Sequence, residues 1–225
     1  MNNLEILYED NHIIIVVKPC NILSQEDSTK DPDMLTLIKE YLKVKYNKPG
    51  NVYLGLVHRL DRPVSGVMVF AKTSKAAKRL SKEIKDSNFS KKYIAIVHDN
   101  SLKDSNTFTD YIRKLDNGNS IITDEEKGKY SELSYCVLER RNNLALVKIN
   151  LITGRHHQIR IQFSSRNYPL YGDWRYGKKD SRNLCLHAYE LSFKHPITNE
   201  YMTFCKYPII DNNAWSLFNL RKMTI

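Results

Sequence analysis

The stretch VHRLDRPVSG at residues 57–66 sets one carboxylate, Asp61, between two guanidinium groups, Arg59 and Arg62. Cations that close keep a carboxylate ionised at neutral pH. An ionised carboxylate held in place can serve as a nucleophile or a base. Taken alone, however, the pattern is better explained by an ion pair that clamps a turn. Other chemistries fare worse. The histidines include His58, His156, His157 and His187, but no HExxH-like spacing occurs, and the neighbours His156 and His157 are expected to point to different sides, so no metal site is expected. Cys185 stands two residues before His187 in an apolar strand, where a buried thiol is usually inert. A glycosidase or carboxylate nuclease needs a second acid, and none accompanies Asp61.

The segments VYLGLV at 52–57 and GVMVFA at 66–71 read as strands, which places Asp61 on a loop at strand ends, punctuated by Pro63 and Gly66. Ahead of it, the β-branched run HIIIVV at 12–17 reads as a buried strand that breaks at Lys18-Pro19. A helix follows, with Pro32 suited to its first turn and Met34, Ile38 and Leu42 on one buried face. Thr73 or Ser74 caps a second helix, in which Ala76, Leu80 and Ile84 face inward and the lysines outward. A strand at 91–99 comes next, then a polar stretch at 100–131 with an Asn117-Gly118 turn, read as a peripheral hairpin and loop. Two strands, SYCVLER and ALVKINL, are joined by the turn Arg141 to Asn143. HHQIRIQFSS is ambiguous: Ile159, Ile161 and Phe163 alternate as in a strand, while Ile159 with Phe163 and His156 with Arg160 share helical faces. Short alternating strands return in LCLHAYELSFKHP and EYMTFCKYP.

At 225 residues, without an internal repeat or a Ser/Pro-rich linker, the chain is expected to form a single domain, 1–225. It is 41% hydrophobic and 27% charged, which excludes disordered and fibrous classes. No apolar run approaches the ~20 residues that cross a bilayer, and the start MNNLEILYED lacks the features of a signal peptide, so a cytoplasmic protein without a membrane partner is expected. The formal charge of +10 favours polyanionic partners. The four cysteines, Cys20, Cys136, Cys185 and Cys205, are far apart and read as reduced thiols.

HRLDRPVSG closely resembles the HRLDRxTSG signature of the RluA-type pseudouridine synthases, and further likenesses follow in the same order along nearly the whole chain. DNHIIIVVKPCNIL resembles that family's first motif, KKYIAIV its tyrosine-bearing strand, LITGRHHQIRIQF…YPLYGDWRYG its GRxHQIR…GD…YG block, and LCLHAYELSFKHPIT its LHA motif. The resemblance implies an α+β fold, with a mixed, largely antiparallel sheet, flanking helices and a central catalytic cleft. It also implies cofactor-free conversion of uridine in RNA to its C-glycoside isomer. Asp61 would attack the flipped-out nucleotide, on base or ribose; Tyr93 would stack on the uracil and assist proton removal from carbon 5; Arg160 would pair with and orient Asp61. Arg59 would enter the RNA stack where the uridine leaves, Leu186 would pack against the base, and His58 and Arg62 would support the loop. The expected partner is a structured stem-loop of ribosomal or transfer RNA, bound by a monomer. With the core motifs beginning by residue 10, a small N-terminal RNA-binding domain is not expected, and the grip on RNA is expected from basic surface, including KAAKRLSKEIK and the lysines at 91–92. Val64 replaces the usual Thr of the signature, His157 alters the neighbourhood of GRxHQ, and Gln162 stands where His is common. The competing reading is a catalytically silent RNA-binding protein on the same fold. Retention of Asp61, Tyr93 and Arg160 argues against it, because binding alone needs no carboxylate facing phosphates.

Overall fold

Apolar runs become strands and four-residue periodicities become helices in a computed structural model that describes residues 4–178, 183–210 and 214–220. The chain falls into two units, Met1–Phe89 with Glu190–Lys206, and Ser90–Tyr189 with Tyr207–Ile225.

In the first unit, β1 (Glu5–Glu9) and β2 (Ile13–Lys18) form an antiparallel hairpin. The β-branched side chains of β2 are buried without interruption from Ile13 to Val16, the mark of a strand covered on both faces. Helix α1 (Met34–Lys45) buries Met34, Ile38 and Leu42, as their spacing requires. It is capped by Asp33, whose carboxylate accepts the Thr36 N–H at 3.0 Å; Pro32 therefore stands ahead of the cap, not in the first turn. Strand β3 (Gly55–Leu56) is short, and β4 (Ser65–Ala71) runs antiparallel to β2 from Ala71 opposite Ile13 to Gly66 opposite Lys18. Helix α2 (Ser74–Lys85), capped by Thr73, sets Ala76 and Leu80 against Ile13, Ile15, Val67 and Val69 and leaves most of its lysines to solvent.

In the second unit, β5 (Ser90–His98), β6 (Ser105–Lys114), β7 (Ser120–Thr123), β8 (Lys129–Arg141) and β9 (Leu144–Leu151) lie in the order β5-β9-β8-β6-β7, every pair antiparallel. Asn142 and Asn143, with φ of 53° and 58°, make the tight turn from β8 to β9. Residues 105–114 are a ten-residue strand in register with β8, and with β7 they form a hairpin across the Asn117-Gly118 turn. The reason is packing: Phe108 is buried against Tyr135 and Phe163, and the Gln162 amide donates to the Phe108 carbonyl and to Asp110. The ambiguous segment is helix α3 (Gln158–Ser164), which buries Ile159 and Phe163 together. Strand β10 (Leu186–Lys194) begins here, and its residues from Glu190 onward belong to the first unit, antiparallel to β11 (Tyr201–Cys205). The class is α+β with largely antiparallel pairing; one parallel bridge, Leu23 to Asp33, is present. Among the described residues no helix is long and apolar enough to cross a membrane.

One ion network ties the end of β1 to α1 and to the residue that follows β4. Glu9 accepts from Lys45 at 2.7 Å, Lys72 at 2.6 Å, Tyr46 at 2.7 Å and Tyr41 at 3.0 Å. Burial works to raise the Glu9 carboxyl, but these four donors overcome it and hold it down to about 2. A carboxyl lowered on folding stabilises the native state above its unfolded pKa of roughly 4.3, and loses that contribution as the pH falls toward its folded value. Glu9→Gln is expected to cost about 1–3 kcal/mol at pH 7. Urea melts of the two proteins should converge as the pH is lowered toward 3.

Candidate active site

Asp61 lies in the first unit on the loop between β3 and β4, and the backbone of that loop is held at four successive carbonyls. The Leu60 carbonyl accepts the Ser24 hydroxyl at 2.7 Å, and the Leu60 N–H donates back to the same oxygen at 3.1 Å. The Asp61 carbonyl accepts the Val64 N–H at 3.0 Å, which closes a turn. The Arg62 carbonyl accepts from Lys18 Nζ at 3.0 Å, and the Pro63 carbonyl from Cys20 Sγ at 3.1 Å. Three of the four partners come from the last residue of β2 and the short segment that follows it. The Lys18 side chain is fully buried, and its two other hydrogens go to the carbonyls of Pro19 at 3.0 Å and Ile22 at 2.6 Å. Burial pushes this ammonium down to about 8, against the pull of Cys20 and Asp61 and with the push of Arg62.

The other motif residues on this loop have different tasks. His58 Nε2 accepts the Val69 N–H at 3.1 Å, and its ring packs on Phe89, so His58 anchors the loop to β4. Arg62 reaches Asp31 at 2.7 Å in an exposed ion pair. Arg59 is exposed and forms no hydrogen bond or ion pair with any described residue. Val64, in place of Thr, is buried at 2% exposure.

The second unit holds Tyr93, Arg160 and Leu186. Tyr93 is buried on β5 opposite Ile149, and Leu186 is buried at the start of β10. Arg160, buried in α3, makes a two-pronged pair with Asp173: Nε to Oδ2 at 2.8 Å and Nη2 to Oδ1 at 2.7 Å. Asp173 Oδ1 also accepts the N–H groups of Arg175 and Tyr176. The preceding Gly172 has a φ of +77°, and a Cβ there would stand 2.1 Å from the Asn183 carbonyl oxygen, so only glycine fits. The Arg160 guanidinium lies over the Tyr176 ring, 5.2 Å from its centroid. The Tyr176 hydroxyl accepts the Ser120 N–H at 2.7 Å and meets His157 Nδ1 at 2.7 Å. Burial, and after it the charge of Arg160, push His157 down to about 2, so the imidazole is neutral.

His156 and His157 do not point apart. Their ring centroids lie 3.7 Å from each other, because His157 takes a left-handed backbone conformation with φ 54° that folds one ring onto the next. Among the described residues no group of three or more His, Cys, Asp or Glu is arranged to hold a metal ion. Ser24, Asp173 and Tyr176 carry much of the local geometry and were not assigned a task from sequence. Asp173 and Tyr176 sit within the GD…YG segment, whereas nothing in the sequence marks Ser24.

The fold and both motif clusters define a class, and comparison with known proteins agrees with it. Residues 12–165 match the RNA pseudouridylate synthase family, and the chain belongs to that family. It is 31% identical over 224 residues to the uncharacterized RNA pseudouridine synthase YlyB of Bacillus subtilis, covering 98% of this chain and 74% of that one. It is 31% identical over 211 residues to ribosomal large subunit pseudouridine synthase C of Haemophilus influenzae, covering 89% of this chain; the match spans 64% of that relative's length. Among solved structures, human RNA pseudouridylate synthase domain containing 4 superposes with a TM-score of 0.75 at 22% identity, over 91% of this chain and 88% of that one, a likeness of fold.

Two stability outcomes follow from this geometry. Ser24→Ala removes one hydroxyl that serves both backbone groups of Leu60 and should cost about 1–3 kcal/mol in urea unfolding. Asp173→Ala leaves a buried guanidinium without its carboxylate and should cost about 3–5 kcal/mol; adding Arg160→Met should recover part of that loss.

Proposed function

We propose that this protein isomerises uridine to pseudouridine in a stem-loop of ribosomal or transfer RNA, with Asp61 as the attacking carboxylate. The observation that carries the reading is the loop of Asp61, whose four consecutive carbonyls, from Leu60 to Pro63, are all hydrogen-bonded, so that the carboxylate is presented from a restrained backbone. Preorganised geometry of this kind is what a positioned nucleophile needs. Membership of the synthase family supplies the reaction.

In that reaction the bond between uracil N1 and the ribose breaks, the base turns, and carbon 5 joins the ribose carbon. The proton lost from carbon 5 is balanced by one gained at N1, so no cofactor or net redox change is required. Asp61 bonds to the nucleotide in the first half and leaves in the second. Tyr93 stacks on the detached uracil and assists removal of the carbon 5 proton. Leu186 packs against the base, and exclusion of water keeps the detached uracil from escaping. Arg59, exposed and without a protein partner among the described residues, fills the RNA stack where the uridine leaves. Arg160 is held in plane by Asp173 and presents a fixed charge.

The test is tritium release from RNA labelled at uridine carbon 5. Asp61→Asn should abolish release while RNA affinity stays within a few-fold. Release unchanged by the substitution would remove Asp61 from the mechanism, and a wild-type protein that binds RNA without release would favour the silent binding protein. Tyr93→Phe should lose less activity than Tyr93→Ala if stacking dominates; equal losses would assign the work to the hydroxyl.

A further inference from the structure

Among the described residues the two buried cations have acceptors: Lys18 has three carbonyls and Arg160 has Asp173. Lys91 is different. It is the second residue of β5, partly buried, and it forms no hydrogen bond or ion pair with any described residue. Its ammonium lies close to Gly154, where an added Cβ would stand 3.1 Å from Nζ.

Gly154 sits in a turn that is itself fixed. Gln158 Oε1 accepts the Thr153 hydroxyl at 2.8 Å and the Arg155 N–H at 2.9 Å. Arg155 Nε donates to the Tyr130 carbonyl at 2.7 Å, which orients the guanidinium, while the residue as a whole is exposed. Burial pushes the Lys91 ammonium below its ordinary value, and the charged neighbour acting on it, Arg155, pushes the same way. A desolvated ammonium beside a like charge is unfavourable in the protein alone. An anion that touched both groups would remove that cost. The combination of a guanidinium edge, a point charge and a glycine that leaves room between them suits the oxygens of a phosphodiester.

We propose that Lys91 and Arg155, with Gly154 between them, bind one phosphate group of the substrate RNA backbone. This rests on the reading that RNA is the substrate.

The experiment titrates a 5′-fluorescein-labelled, uridine-containing RNA hairpin with the full chain over a series of potassium chloride concentrations. Lys91→Gln should weaken binding about tenfold and lower the slope of log Kd against log salt by about 1, the loss of a single phosphate contact. Lys91→Arg should restore the slope, and Lys103→Gln, on an exposed loop, should keep it. The melting temperature of Lys91→Gln should not fall, which separates binding from folding. A slope unchanged in Lys91→Gln, or a loss of binding matched by a loss of melting temperature, overturns the proposal. Inorganic phosphate provides a second arm: protection of the wild type from heat, absent in Lys91→Gln, together with an unchanged RNA slope would mark a site for free phosphate and overturn the RNA assignment. A slope lowered in Lys91→Gln, together with a wild type that releases no tritium, would contradict the isomerase reading alone. An active wild type with an unchanged slope in Lys91→Gln would contradict this inference alone.

Discussion

The ammonium of Lys18 is the point on which the Asp61 loop depends. Taking a lysine fully out of water is costly unless each of its hydrogens finds an acceptor. Here three carbonyls do so, two from the turn after β2 and one from Arg62, 44 residues along the chain. The end of a buried strand thereby dictates the path of a distant loop. Ser24 and Cys20 extend the same arrangement to Leu60 and Pro63. The restraint acts on backbone oxygens, so the shape of the loop is insulated from the side chain at position 64. Valine there keeps its N–H on the Asp61 carbonyl and buries its methyl groups, which is why losing the usual threonine hydroxyl leaves the turn closed.

The second unit applies the same principle with charges reversed. A single carboxylate, Asp173, collects two guanidinium donors and two backbone N–H groups, and so fixes Arg160 and the turn to Tyr176 together. Tyr176 then links β7, through the Ser120 N–H, to His157 at the start of α3. Both clusters saturate one charged group with fixed partners, and in each case motif residues are carried on the segment so held. Lys91 stands out against this background as a cation whose neighbour has the same sign.

Much of the fold was legible because local pattern and tertiary burial agree. The β-branched run of β2 and the four-residue stripes of α1 and α2 have one way to bury their apolar atoms, and they take it. Where local pattern is shared by two structures, the sequence was silent. Ile159 and Phe163 fit either period, and the choice of helix is made by partners far away, such as Phe108 and Tyr135 packing on Phe163. Strand β6 reads as polar because its exposed face is rich in Ser, Asn, Thr and Lys, and only the buried Phe108 and Ile112 reveal a sheet. In the site, Asp61, Arg59 and Tyr93 stood out through motif order. Ser24 did not, because a serine that bonds a backbone 36 residues away leaves no trace in its neighbours. The stacked pair His156 and His157 needed a left-handed residue that composition does not announce.

The central claim is that a clamped Asp61 converts uridine in cellular RNA. Pseudouridine maps of ribosomal and transfer RNA should be compared between cells with the intact gene, with the gene removed, and with Asp61→Asn in its place. The account predicts that at least one position modified in the first is unmodified in both of the others. Identical maps in all three would contradict it.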